Sequence, residues 1–288
     1  GQILLLENLR FYKQETQGEE AFSKNLADIA DVYVNDAFGT SHRRHASTAV
    51  VAKYFKEKCA GLLLEQETKA ITQFLESKQH PVTAIIGGAK VSSKIPVIKS
   101  LLSSVDNLLI GGGMAYTFIK SKGGHIGESI YERDMLAVCN ELLKEAADKG
   151  VLLLLPEDVI AAERLDNNAQ TKTLNASNIE NGWMGLDIGE KTQKTFNKII
   201  NDSKTILWNG PLGVFEMDSF STGTKAVADA VVETTKKGGF SLVGGGDSVA
   251  ALKKFNLVDK VSYVSTGGGA MLESLEGKAL PGIVALSK

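Results

Sequence analysis

Two short stretches of this sequence have the residue types and spacing of phosphate chemistry. The first is Gly87-Gly88-Ala89-Lys90, with a second lysine at Lys94. Ammonium groups four residues apart share one side if a helix begins there, and a glycine turn at a helix N-terminus makes a phosphate cradle. Lysines on a solvated face are the ordinary alternative. The second stretch is Gly244-Gly245-Gly246-Asp247-Ser248. Asp247 reads as a helix N-cap or as an acid holding magnesium, directly or through water; the two are not exclusive. The N–H groups of Gly245, Gly246 and Asp247 would suit the charge of a transferring phosphoryl group. In the run Trp208-Asn-Gly-Pro-Leu-Gly-Val-Phe-Glu216, Asn-Gly-Pro is turn chemistry. Val214 and Phe215 before Glu216 could also line a nucleotide pocket, with Glu216 either bonding ribose hydroxyls or simply solvated. His42-Arg43-Arg44-His45 and the separate Arg10 offer guanidinium forks that match carboxylate or phosphate. No Cys–His or Ser–His–Asp arrangement is legible, and the four histidines lack metal-ligand spacing.

The elements that must hold these groups follow from the glycines. Of 29 glycines, fifteen stand in runs of two or more. Before Gly87 lies Pro81–Ile86, before Gly111 lies Asn107–Ile110, before Gly244 lies Phe240–Val243, and before Gly267 lies Val261–Thr266. After each run the pattern turns helical: 94–102, 114–120, 248–255 and 271–275. Strand, glycine turn and helix in repetition predict an α/β fold with a parallel sheet and flanking helices. In such sheets ligands gather at the carboxyl ends of the strands, so the four runs are expected on one rim. Longer amphipathic helices are expected over 133–149 and 222–237. The first sixty residues differ: a buried strand is expected over 2–7, a helix over 19–30, a second strand over 31–36, then a polar basic loop over 38–45. A long helix over 60–77 bridges to the glycine-rich half.

Composition narrows the class. The chain has 288 residues, 43% hydrophobic and 23% charged, which suits two ordinary globular domains. A net charge of -2 argues against a nucleic-acid binder with a broad basic face. No apolar run reaches transmembrane length and no secretory signal is visible. Cys59 and Cys139, far apart, form neither a disulfide framework nor a zinc pattern, which points to a reducing compartment.

The motifs resemble phosphoglycerate kinase. They are Leu5-Leu-Glu-Asn-Leu-Arg-Phe11, Val34-Asn-Asp-Ala-Phe-Gly-Thr-Ser-His-Arg43, Gly87-Gly-Ala-Lys-Val-Ser92, Gly111-Gly-Gly-Met-Ala-Tyr116, Gly182-Trp-Met-Gly-Leu-Asp187, Trp208–Glu216, Gly244–Ser248 and Ser265-Thr-Gly-Gly-Gly-Ala270. They stand in the family's order, and the match runs from residue 2 to Leu286. The resemblance implies two Rossmann-like lobes joined by a hinge helix, and phosphoryl transfer between ATP and the carboxylate of 3-phosphoglycerate, giving ADP and 1,3-bisphosphoglycerate. By matching position, Arg10 and Arg43 are substrate-phosphate ligands. Lys90, with Gly245 and Gly246, steadies the transferring group. Gly88, Ala89, Lys90, Lys94, Gly111, Gly112, Gly185, Leu186, Asn209, Pro211, Gly213, Val214, Glu216, Gly245, Gly246, Asp247 and Ser248 bind the nucleotide, and Gly267 and Gly268 lie nearby. Asp247 is linked to Mg2+, the cofactor carried with ATP or ADP.

The resemblance assigns residues 1–59 to a partial N-terminal substrate lobe, 60–78 to the interdomain helix, 79–278 to a complete nucleotide lobe and 279–288 to a return segment. The family's early segment, with an Asp-Phe-Asn-Val-Pro stretch, an arginine and a His-x-x-Arg loop, is not found. The chain is therefore expected to lack an upstream part, to expose apolar strand edges, and to bind ADP or ATP without turnover. Its ending is not the Ser-Lys-Leu peroxisomal address, so a cytoplasmic location is expected; a monomer without nucleic-acid or membrane partners is expected as well. Two other classes compete: a nucleotide-binding module without catalysis, and a nicotinamide-dependent dehydrogenase. The second lacks a Gly-x-Gly-x-x-Gly opening its first helix with an acid about twenty residues on.

Overall fold

Residues 1–287 are described by the computed structural model, in which the chain divides between Ile71 and Thr72 and again after Ser265. Lys288, the last residue of the expected return segment, lies outside the described residues. In the unit made of Gly1–Ile71 and the chain from Thr266 on, β1 (Val32–Asn35) pairs in parallel with β2 (Glu57–Ala60). Helices α1 (Lys13–Gln17), α2 (Glu20–Ala27) and α3 (Leu62–Leu75) accompany them. A small core forms where Ala27, Val51 and Phe55 pack with Leu26 and Tyr33.

The strand expected over residues 2–7 does not form. Ile3 is 98% and Leu5 91% exposed, without regular structure. A strand needs a neighbour for its N–H and C=O groups and an apolar face to bury. Among the described residues nothing pairs with this segment, and Val32 and Val34 of β1 are themselves exposed. Apolar composition alone could not supply the ladder.

The boundary expected after residue 278 also moves. Thr266 donates its N–H and its hydroxyl to the Glu67 carboxylate at 2.7 and 2.8 Å. Further on, Gly282 donates to the Ser41 carbonyl at 2.9 Å, and Asn35 Nδ2 donates to the Gly282 carbonyl at 3.2 Å. These bonds fasten helices Gly269–Leu275 and Pro281–Val284 to the first unit.

The unit Thr72–Ser265 contributes β3 (Val82–Ile86), β4 (Asn107–Ile110), β5 (His125–Ile126) and β6 (Leu152–Leu154). β7 (Asp158–Ala162), β8 (Thr171–Asn175), β9 (Asn178–Ile179) and β10 (Met184–Ile188) follow, then β11 (Thr205–Asn209), β12 (Phe240–Gly244) and β13 (Tyr263–Ser265). Its helices are α4 (Ile95–Leu101), α5 (Met114–Ser121), α6 (Leu136–Asp148), α7 (Glu190–Asp202), α8 (Thr222–Lys236) and α9 (Gly246–Lys254). Six strands form one parallel sheet in the order β13-β12-β11-β3-β4-β6. β3 and β11 are buried along their whole length, as helix-covered parallel strands must be. Ile85, Leu109, Ile206, Trp208 and Val243 pack with Phe196 and Ile200 of α7 and Val227 and Val231 of α8. β10, β7 and β8 make a separate antiparallel sheet. From β3 the chain winds outward through β4 to β6; from β11 it winds the other way to β13. The direction reverses between β3 and β11, the switch point at which open α/β sheets leave a crevice for ligands.

Candidate functional site

The loops leaving β3, β4 and β11 are joined at this switch point by backbone hydrogen bonds. Gly87 donates to the Asn209 carbonyl at 2.9 Å, Gly88 to Pro211 at 3.0 Å and Gly112 to Leu212 at 3.1 Å. Met114, opening α5, donates to the Gly88 carbonyl at 3.0 Å. The glycines divide by task. A Cβ on Gly87 would strike the carbonyls of Gly210 and Pro211, so that glycine serves loop packing. Gly88, at φ +106°, would have nothing within 4 Å of its Cβ, and neither would Gly246. Those two present bare backbone to open space. The fourth run, Gly267–Gly269, belongs with the other unit, where Gly269 packs toward the His42 ring.

Beside the joined loops lies a cavity of about 320 Å³. Of the residues expected from sequence, Gly88, Ala89, Gly112, Gly185, Leu186, Pro211, Gly213, Val214, Glu216 and Asp247 line it. Its apolar wall also includes Tyr116, Ile130, Leu165 and Met184, which sequence reasoning missed. Ile130 and Leu165 are 57% and 55% exposed, a signal visible only after folding. Gly111 does not line the cavity; it gives room to the Leu212 side chain.

The remaining expected residues cluster at the rim. Lys94 is half-buried and donates its ammonium to Asn209 Oδ1, while Asn209 Nδ2 donates to the Gly244 carbonyl at 2.8 Å. Burial pushes the Lys94 ammonium below the usual lysine range, and the Asp247 carboxylate works the other way. Lys90 and Lys94 do not share a helical face as expected. Residues 92–94 form a turn, and α4 starts only at Ile95, where Pro96 suits the first positions of a helix. Nor is Asp247 an N-cap: Gly245 holds that place at φ 93°, and Asp247 sits in the first turn of α9. Ser248 Oγ, buried, accepts the Gly210 N–H at 2.6 Å and so fixes the loop after β11. Gly245 lies against Asn209 Nδ2.

Glu132 is another residue the sequence did not single out. Its carboxylate accepts the Ser92 N–H at 2.9 Å and the Ser92 hydroxyl at 2.5 Å, anchoring the turn that follows Lys90. Desolvation opposes its charge, but the bonds from Ser92 and Val91 and the nearby Lys90 hold it below the usual glutamate range.

In the other unit, Arg10 occupies a short 3-10 turn and its N–H donates to Asn8 Oδ1 at 3.0 Å. Arg10 and Arg43 are both exposed, and both act on buried His45. Its pKa is lowered first by burial, against the pull of Glu15, and then by Arg10, Arg43 and His42. The structure therefore brings the two predicted guanidinium groups into one positive region.

A family model described as phosphoglycerate kinase matches residues 1–278. The chain belongs to the phosphoglycerate kinase family. Its relatives include the phosphoglycerate kinase of Porphyromonas gingivalis, 52% identical over 99% of this chain and 74% of that protein. The chloroplastic phosphoglycerate kinase 1 of Arabidopsis thaliana is 51% identical over the whole of this chain and 60% of its own length. Among solved structures, phosphoglycerate kinase from Coxiella burnetii superposes with a TM-score of 0.92 at 46% identity, covering 97% of this chain and 71% of that one. The enzyme from Pyrococcus horikoshii gives 0.84 at 30% identity with the same coverage. Phosphoglycerate kinases are glycolytic transferases moving phosphate between ATP and 3-phosphoglycerate, which is the activity the motif order implied.

Proposed function

We propose that the cavity at the switch point of Thr72–Ser265 takes ATP or ADP, and that Arg10 and Arg43 take the phosphate of 3-phosphoglycerate. The observation that carries this reading is the cavity itself: backbone of Gly88 and Gly112, an apolar wall, and Glu216 and Asp247 as its two carboxylates. An apolar wall suits a purine. Glu216 would accept from ribose hydroxyls. Bare N–H groups at Gly246 and Asp247, unpaired within α9 because they open the helix, would face the polyphosphate together with Lys90 and Lys94.

The donor set fits a nucleotide-borne magnesium ion. Among the described residues no cluster of three or more His, Cys, Asp or Glu is present, and magnesium commonly takes one or two carboxylates with phosphate oxygens completing its shell. Asp247 would hold it, and the ion would supply neutralisation of phosphate charge. In the forward direction the bond from the γ-phosphorus to the β,γ-bridging oxygen breaks, and a bond forms from that phosphorus to a carboxylate oxygen of the acceptor. The carboxylate is already anionic, so no proton has to be removed. That agrees with a rim of lysines and backbone amides containing no His general base: orientation and charge neutralisation carry such a reaction.

Among the described residues no helix is long and apolar enough to cross a membrane. A cytoplasmic monomer is the reading we attach to the activity; one relative is a cytosolic form from Nicotiana tabacum. The test is calorimetry of the 288-residue chain with Mg-ADP and 3-phosphoglycerate, followed by a coupled assay of turnover. Saturable ADP binding abolished by Lys94→Ala and by Asp247→Ala supports the assignment; binding that survives both sinks it. Nucleotide binding without 3-phosphoglycerate binding or turnover would favour a nucleotide-capture role for this chain.

A further inference from the structure

α9 serves the cavity from both ends. Its first turn carries Asp247, which lines the cavity. Its last residue, Lys254, reaches back to the segment that leaves β11. The Lys254 ammonium donates to the Phe215 carbonyl at 2.9 Å, to the Glu216 carbonyl at 3.3 Å and to Asp218 Oδ1 at 2.6 Å. All three of its donors are thus spent on three residues within the 215–218 segment, Glu216 among them. Phe215 is buried, and Val214 and Met217 pack with Leu186, Phe220 and Ala162. The apolar side chains pin the segment from one side and the ammonium pins its main chain from the other.

A solvated ion pair with Asp218, which is 83% exposed at its side chain, would contribute little. Two of the acceptors, however, are the backbone carbonyls of the two peptides that flank the Glu216 Cα. Holding those carbonyls fixes the direction in which the Glu216 side chain leaves the backbone. The cation also stands at the C-terminus of its helix, where the dipole favours it.

We propose that Lys254 is a positioning residue: it aims the Glu216 carboxylate at the ribose of the bound nucleotide and thereby sets the preference for ribonucleotides over 2′-deoxyribonucleotides. This rests on the nucleotide reading of the cavity. A carboxylate distinguishes the two sugars only if it is held at hydrogen-bond distance from the 2′-hydroxyl. A carboxylate left free in water gains nothing from that hydroxyl, because it trades one hydrogen bond for another.

The experiment is calorimetry with ADP and with 2′-deoxy-ADP on the unsubstituted chain, Lys254→Met, Lys254→Arg, Glu216→Ala and the Lys254→Met/Glu216→Ala pair. Lys254→Gln provides a second removal should the methionine variant not fold. The unsubstituted chain is expected to prefer ADP by about ten- to a hundredfold, the value of one oriented hydrogen bond to a charged group. Lys254→Met should weaken ADP until the ratio falls below about two, with 2′-deoxy-ADP changing less than about twofold; Lys254→Arg should retain the preference. In the Glu216→Ala background, adding Lys254→Met should change ADP binding no further, because the two act as a unit. Equal weakening of both nucleotides, or an unchanged ratio, overturns the inference and leaves Lys254 as a structural tie. Tight ADP binding without sugar preference in the unsubstituted chain overturns it as well, while no ADP binding at all overturns the nucleotide reading beneath it.

Discussion

At the scale of single residues, the charge of the rim depends on a half-buried lysine. Lys94 faces Asn209, which is neutral, and Asp247, which favours the ammonium, while burial lowers its pKa. The protonated form attracts phosphate; the neutral amine does not. ADP affinity should therefore fall as pH rises through the Lys94 pKa, below the ordinary lysine value of about 10.4. A bound polyphosphate raises that pKa again, so binding should take up a proton within the same window. Lys94→Arg should flatten the fall, because a guanidinium stays charged. Dissociation constants for ADP between pH 7 and 10 decide it, and parallel slopes for the two proteins would remove Lys94 from the phosphate site. Lys94 and Asp247 were legible because a glycine turn after an apolar run marks them. Glu132 and Lys254 were not: each acts across about forty residues of sequence, through a backbone whose path only folding supplies.

Between elements, β10 and α8 meet through one carboxyl group. Asp187, 2% exposed, accepts the Gly223 N–H at 2.7 Å in the first turn of α8 and the Ile188 N–H at 2.9 Å. A Cβ on Gly213 or Gly223 would strike the Asp187 side chain, so both glycines mark how closely these elements approach. Burial raises the Asp187 pKa to about 7, against the two N–H donors. A raised carboxyl binds its proton more tightly in the native than in the unfolded chain. It thus adds stability that is complete below the unfolded value of about 3.9 and is lost as pH rises through about 7. Asp187→Asn has no such proton. The difference in Tm between the unsubstituted chain and Asp187→Asn should shrink from pH 5 to pH 8, and a difference constant across that range refutes the assignment. The elements themselves were largely readable. β4 and α5 start where the pattern placed them, at Asn107 and Met114, since β-branched or leucine runs ended by glycine leave few alternatives. The run at residues 3–6 misled because apolarity reports a wish for burial, while a strand also needs a partner edge.

For the whole molecule, the two units hold different groups: the arginine region lies in Gly1–Ile71 with the chain from Thr266 on, and the cavity in Thr72–Ser265. The family resemblance placed the later boundary after residue 278, whereas the chain rejoins the first unit from Thr266. What moves it is a bond between Thr266 and Glu67, 199 residues apart, which no local pattern carries. The division has an energetic consequence. A ligand that binds only the native form of one unit adds RT ln(1 + [L]/Kd) to that unit, about 2.7 kcal/mol at a hundredfold excess over Kd. With Mg-ADP present, amide exchange should slow in β3, β11 and β12, whose protection reflects opening of the sheet that carries the cavity. Exchange in β1 and β2 should stay within about twofold of its value without ligand. Equal slowing in β1 and β2 would mean that the two units open as one cooperative body, and the assignment of nucleotide linkage to Thr72–Ser265 alone would be wrong.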